Sequence, residues 1–470
     1  MPARHIAIPN PVRSKQRGAA LMVMLVIMVM GIAAALVGSL STTALKSARQ
    51  EATSNALAQA KEALIGYAIT YGDTHSGQVH GYLPCPDPNG TAGANEEGSS
   101  ETCGNKDVSQ IGRLPWKTLG LSSLRDGDGE CLWYAVAGSY KNNPMTDMMN
   151  WDTPGLFEVL DASGATIAQN VVAVIFAPGP VLGSQNRTPG GTAPICGGNY
   201  TASNYLDSDG TLNNGTVSAS ANATTQFRLT SSSQVNDRLI YITRQDIWNA
   251  MLKRTDFMTT LATMTQKATE CLADYGRRNS SGPGDKRLPW SGRLYPDSSG
   301  YLTDVNYDDE DGRMAGRLPY RVNTSDSATG NQISSPYYQL ASGGSCLGGS
   351  AWATYYPWWT NWKDHLFYAL AYRFRPNSGS TSCGTCLKVN GSGNYAAVVM
   401  FAGKPLAGQT RTTVSNRLDF SNYLEGRNYT YTNGSNPNPS GDSNYQSGAE
   451  TGSFNDVLYC INPNLTVTPC

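Results

Sequence analysis

Histidine is scarce in this chain and charge is thin. Four histidines stand among 470 residues, charged side chains make up 15%, and the formal net charge is -1. No global field of that size draws a protein to nucleic acid, so no nucleic-acid partner is expected. The sequence holds no His-Glu-x-x-His, no Gly-x-x-x-x-Gly-Lys and no Gly-x-Ser-x-Gly, the spacings that carry zinc hydrolysis, phosphate cradling and the hydrolase elbow. A Ser or Cys nucleophile needs a base placed within reach, and no motif places one. The chain therefore reads as a non-enzyme.

Cysteine is present in an even number. The ten are Cys85, Cys103, Cys131, Cys196, Cys271, Cys346, Cys383, Cys386, Cys460 and Cys470. Downstream of an export-like segment, that count points to disulfides formed in an oxidising compartment. Zinc wants paired Cys-x-x-Cys ligands, and Cys383–Cys386 has no answering pair. Connectivity stays open, although Cys85–Cys103 and Cys460–Cys470 are the cheapest local closures. With 40% apolar residues the chain can bury a sizeable core.

Acid is absent from the first seventeen residues, and no charged side chain occurs from Gly18 to Leu45. At about 1.5 Å per residue such a run matches a hydrocarbon core of roughly 30 Å. Basic residues before it predict a cytoplasmic N-terminus and an external body. It exceeds the roughly 7–15 apolar residues of a cleaved signal. No proline interrupts the next stretch, where Leu45, Ala48, Ala52, Ala56, Ala60, Ala63 and Tyr67 recur at spacings of three and four. That pattern predicts a continuing amphipathic helix. A transmembrane half over about 19–40 and an amphipathic half would form one helix, 19–70.

A basic leader ending in Gly18, then "AALMVMLVIMVMG" and an amphipathic continuation, resembles the start of type IV pilins and type II secretion pseudopilins. The resemblance implies a leader 1–18 removed by a prepilin peptidase between Gly18 and Ala19. It also implies a single-pass inner-membrane stage and later packing with other pilin or pseudopilin subunits in a periplasmic or cell-surface filament. Two positions depart from the family: Ala19 stands where Phe is usual, and Val23 where most members carry Glu. That glutamate is linked to a repeating shaft, so its absence points to a minor subunit at the tip, as in the large pseudopilin found there.

The rest of the chain repeats itself. "GYLPCPDPNG" from Gly81 is answered by "KRLPWSGRLYPDSSG" from Lys286, and "GRLPW" at Gly112 by "GRLPY" at Gly316. "LWYAVAGSY" from Leu132 answers "LFYALAYRF" from Leu366, and "VVAVIFAPGPVLGSQNR" from Val171 answers "AAVVMFAGKPLAGQTR" from Ala396. "NYLDSDG" from Asn204 pairs with "NYLEGRN" from Asn422, and "VNDRLIYIT" from Val235 with "FNDVLYCIN" from Phe454. The expected organisation is a first head over 71–243 and a second unit over 244–470. The second opens on a soluble helix, 244–278, with Thr243 and Asp246 spaced as a capping box. Short β-branched and aromatic runs read as strands. The expected class is α+β, a long helix packed on antiparallel sheet, duplicated.

Two features suggest contacts. Trp352, Tyr355, Tyr356, Trp358, Trp359 and Trp362 crowd an insertion of the second unit. Exposed, they would suit sugars or protein surfaces; buried, they would fill the seam between units. Asp304, Asn306, Asp308 and Asp311 alternate like an open calcium loop, yet the same residues populate ordinary turns. No other cofactor is expected. The reading is a minor pilin or pseudopilin, with assembly priming, adhesion or secretion as roles. A membrane-anchored extracellular binding protein that never polymerises is the alternative.

Overall fold

The computed structural model describes residues 17–88, 97–190, 193–229, 235–278, 286–294, 308–323, 337–339, 350–376, 382–384, 386–433 and 443–470. Helix α1 is Arg17–Thr74. Strands β1 (Gln110–Arg113), β2 (Trp133–Val136), β3 (Phe157–Leu160), β4 (Thr166–Ala177), β5 (Thr225–Arg228) and β6 (Arg238–Thr243) follow. Next come α2 (Arg244–Met251), α3 (Thr255–Arg278), β7 (Ala315–Arg317), β8 (Arg321–Asn323), β9 (Tyr337–Gln339) and α4 (Ser350–Trp362). The chain closes with β10 (Leu366–Leu370), β11 (Leu387–Val389), β12 (Ser392–Tyr395), β13 (Ala397–Phe401), α5 (Val414–Arg417), α6 (Gly426–Thr432), β14 (Asn444–Tyr445), β15 (Val457–Ile461) and β16 (Val467–Pro469).

Two expectations are corrected here. The class is mixed α/β with several sheets, not a helix laid on purely antiparallel sheet. A sheet of order β1-β2-β4-β3-β5, with β6 also on β4, contains the parallel pair β3·β5. A three-stranded sheet, β12-β11-β14, contains the parallel pair β11·β14. The chain reaches each parallel partner only after a long excursion, through β4 in the first case and through β12, β13, α5 and α6 in the second, as parallel pairing requires. The second correction concerns the membrane. No helix among the described residues is long and apolar enough to cross one, against the single-pass anchor expected over about 19–40.

Two further differences are local. The helix expected over 244–278 is two, α2 and α3, because Arg254 sits at the break. It donates to the Ile69 carbonyl at 2.6 Å and pairs with Asp73 and Asp256. The Thr243–Asp246 capping box starts α2 with both reciprocal bonds, and Ile247, Met251, Leu261, Met264, Ala268, Cys271 and Tyr275 are all buried. In α1 the buried face is Ala56, Leu57, Ala60, Leu64, Ala68 and Tyr71, while Leu45 is 58% exposed.

One core runs through both repeats, joining α1, α2 and α3 to Tyr134, Val136, Val172 and Ile175 and to Tyr368, Val399 and Cys460. A second, smaller core on the other face of the first sheet holds Trp133, Phe157, Phe176, Tyr205 and Phe227. Residues alternate between them along β2, as strand geometry dictates. Disulfides Cys85–Cys103, Cys131–Cys196, Cys383–Cys386 and Cys460–Cys470 fasten the loops. Cys271 is also disulfide-bonded; Cys346 lies outside the described residues.

Candidate functional site

The blocks that repeat in sequence carry the same contacts in space. Tyr134 and Tyr368 donate to Pro84 and Pro289 carbonyls, each at 3.1 Å. Gln185 donates to Asp207 at 2.7 Å and Gln409 to Glu425 at 2.8 Å. Arg187 donates to the Gly179 carbonyl, and Arg411 to that of Gly403. Tyr205 lies between the guanidiniums of Arg113 and Arg187, 5.2 and 4.9 Å from its ring centre. Tyr423 lies between Arg317 and Arg411, at 5.2 and 4.3 Å. Stacking of this kind suits the planar guanidinium.

In the second repeat these arginines lead to a buried polar cluster at the seam. Asp364 and His365 sit in the 3-10 turn Lys363–His365 that follows α4, and β10 begins at the next residue. His365 Nδ1 is 2.7 Å from Asp364 Oδ1, and Nε2 is 2.9 Å from Asp152 Oδ2. Asp152 belongs to the first repeat, where Arg411 reaches it at 3.3 Å. Asn150 donates to the Asn361 carbonyl at 2.8 Å and Asn361 accepts from Met149 N–H at 2.7 Å. Trp151 and Trp362 meet edge to face with centroids 4.3 Å apart. All three ionisable side chains are essentially closed to water, His365 at 0%, Asp364 at 1% and Asp152 at 2% exposure.

The charges follow from the surroundings. Burial raises the Asp152 carboxyl, but Arg411, His365 and Arg417 outweigh it and hold it well below the carboxylate range. Burial likewise raises Asp364, and His365 and Arg317 bring it below its ordinary value. For His365 burial favours the neutral ring, yet Asp364 and Asp152 win and raise its pKa. The indole N–H of Trp151, 2.8 Å from Nε2, favours the neutral ring too, but one neutral donor does not match two carboxylates. Two acids thus meet an imidazolium and a guanidinium, and the cluster is close to neutral.

No protein-family model, curated protein or solved structure matches this chain. Its chemistry is therefore argued from the cluster itself. Asp152, Asp364 and His365 offer one ligand atom each within 4.8 Å of one another, so this acid–imidazole group could hold a metal ion. Asp152 Oδ1 and Asp364 Oδ2 are buried without a hydrogen-bond partner, which fits that role. Against it stands Arg411, a fixed cation already on Asp152, and both ring nitrogens of His365 are engaged. As it stands, the site is a cross-repeat clasp.

The other sequence candidates are dispersed. Trp359 and Trp362 are buried at 1% exposure, while Tyr355, Tyr356 and Trp358 are half-buried. They ride on α4, a helix within that insertion, and the side chain of Trp352 lies outside the described residues. Asp304 and Asn306 also lie outside them. Asp308 sits at a backbone bridge near Gly292 and Asp311 in a turn. Gly18 and Ala19 lie in α1 with their side chains outside the described residues. Sequence reasoning singles out none of the three, and Asp152 lies in no repeated block.

Proposed function

We propose that this chain is a structural subunit of a multi-copy filament, of the minor pilin or pseudopilin kind that its opening residues resemble. The supporting observation is the front of α1. Met24, Leu25, Met28, Val29 and Met30 are 57–76% exposed. Residues four apart share a helix face, so Met24 with Met28, and Leu25 with Val29, form adjoining apolar rows that the described residues leave open. Sister helices supply the matching surface, and burial of such rows drives helix association. The buried ionic cluster at the seam is sealed, which suits a clasp better than turnover.

Sedimentation of the purified full chain tests this. Wild type is expected to self-associate, and Met24→Glu/Met28→Glu to sediment as a monomer with an unchanged melting profile. N-terminal sequencing of protein from its native host should read from Ala19. A wild type that stays monomeric at all concentrations and retains Met1 overturns the reading in favour of a binding protein that does not polymerise.

A further inference from the structure

Each repeat contains a pair of buried acids in the same cage. In the first, Asp207 Oδ1 accepts from Gln185 at 2.7 Å, and Oδ2 from the N–H of Asn236 at 2.7 Å and of Asp237 at 3.3 Å. Its neighbour Asp237 accepts through Oδ2 from Asp207 N–H at 2.7 Å and Asn214 Nδ2 at 3.3 Å. In the second, Glu425 Oε1 accepts from Gln409 at 2.8 Å and Oε2 from Asn455 N–H at 3.2 Å. Asp456 accepts through Oδ2 from Glu425 N–H at 3.3 Å and Asn428 Nδ2 at 2.9 Å. Asn214 and Asn428 also brace the strands beside them, accepting from Arg228 and Gln446 N–H groups at 2.9 and 2.8 Å.

The donors are shared unequally in both cages. Asp207 and Glu425 have a donor on each oxygen, the setting of a carboxylate. Asp237 and Asp456, 2% and 3% exposed, each leave Oδ1 buried without a partner. An orphaned carboxylate oxygen facing a second acid is costly, whereas a protonated one removes the repulsion and gains a donor. Among the described residues no cation pairs with any of these four acids. Arg187 pairs with Glu130 and Arg228 with Asp209, while Arg411 is committed to Asp152 and Lys404 to Glu450. Burial first and the neighbouring acid second push both Asp237 and Asp456 well above the ordinary carboxyl value.

We propose that each repeat stores one proton, in the pairs Asp237–Asp207 and Asp456–Glu425, and that losing these protons loosens both cages. The fold is thereby an acid-stabilised device. The sign follows from linkage: a carboxyl that holds its proton more tightly when folded stabilises fully below its unfolded value of about 4 and loses that stabilisation as pH rises. A recess of about 450 Å³ lined by Asp207, Gln185, Ser203 and Ser208 gives water access beside the first pair.

Urea unfolding of the full chain between pH 5 and 6 tests the proposal, because His365 is protonated in the folded state and largely so in the unfolded one there. The unfolding constant of wild type should rise by about two powers of ten more per pH unit than that of Asp237→Asn/Asp456→Asn, one for each stored proton. Either single variant should remove half of that dependence. Asn reproduces the neutral acid, so the variants should match wild type only below about pH 4, where the unfolded carboxyls are protonated too, and should already be more stable than wild type at pH 5. Infrared difference spectra of unmodified protein, titrated upward from pH 5, should show loss of two buried protonated-carboxyl bands. A variant slope equal to wild type, or spectra without those bands, overturns the proposal.

Discussion

The two repeats use one set of arginines in two ways. In the first, Arg113 turns to carbonyls of its own unit, donating to Gly197 at 2.7 Å and Asn199 at 2.8 Å. Arg187 pairs with Glu130 at 3.1 Å, a side chain 27% exposed. In the second, Arg317 donates to the Asp364 carbonyl and Arg411 crosses to Asp152. The frame is constant, from the Tyr205 and Tyr423 sandwiches to the acid cages. What differs is the address of the cations. A repeated fold thus gained a clasp between its halves by redirecting residues it already had.

Breaking the clasp should have the largest effect. Arg411→Met keeps the apolar stem but leaves Asp152 buried beside a lost partner. Removing one member of a buried ion pair costs roughly 3–5 kcal/mol. Arg187→Met, whose partner is partly solvated, should cost well under half of that. Urea midpoints of the two variants under one condition check the contrast. Equal losses would mean that the seam is no more dependent on its ion pair than the first repeat is.

The comparison also shows what the sequence made legible. All six repeated blocks occupy matching hydrogen-bond positions, and Gln185, Arg187, Gln409 and Arg411 lie inside them. The alignment was one residue off at the strand. Aligning Val171 with Ala396 puts Phe176 opposite Phe401, yet β2 pairs Trp133 with Phe176 while β10 pairs Phe367 with Met400. A one-residue slip normally betrays itself by turning apolar side chains outward. Here β13 and the second half of β4 are buried on both faces, so no alternation marks the frame. Apolar composition alone does not set the extent of a membrane segment, and the parallel pairs join strands far apart in the chain, with β4 or β12, β13, α5 and α6 between them, so no local signal marks them. Asp152 was invisible for a related reason: its partner Arg411 lies 259 positions away.

A sharper test of the shared frame lies in the asparagines of the cages. Asn214→Ala and Asn428→Ala each remove a donor to a buried acid and an acceptor for a strand N–H. Leaving such groups unsatisfied costs about 1–3 kcal/mol. Because Asn214 and Asn428 hold the same places in the two cages, each donating to the buried acid and accepting from a strand N–H, the two losses should agree within about 0.5 kcal/mol, and sites this separate should add in the double variant. A cost confined to one repeat, read from urea midpoints, would show that the geometric match is not an energetic one.

The smallest effect should come from the solvated partner in the first repeat. Glu130→Gln neutralises one end of the Arg187 pair but keeps its shape. Arg187 retains its bonds to Gly179 and to Gln185 Oε1, each at 2.8 Å, and its contact with the Tyr205 ring. A partly exposed ion pair is worth about 0–1 kcal/mol and is weakened by salt, so the variant should lose less than about 1 kcal/mol at low salt and almost nothing in 1 M sodium chloride. The loss at Arg411 should persist in the same salt, since Asp152 is sealed from screening ions. Salt dependence therefore separates the two addresses of one arginine more cleanly than stability alone. A salt-insensitive loss at Glu130 would place that pair in the protein interior, on the same footing as the clasp.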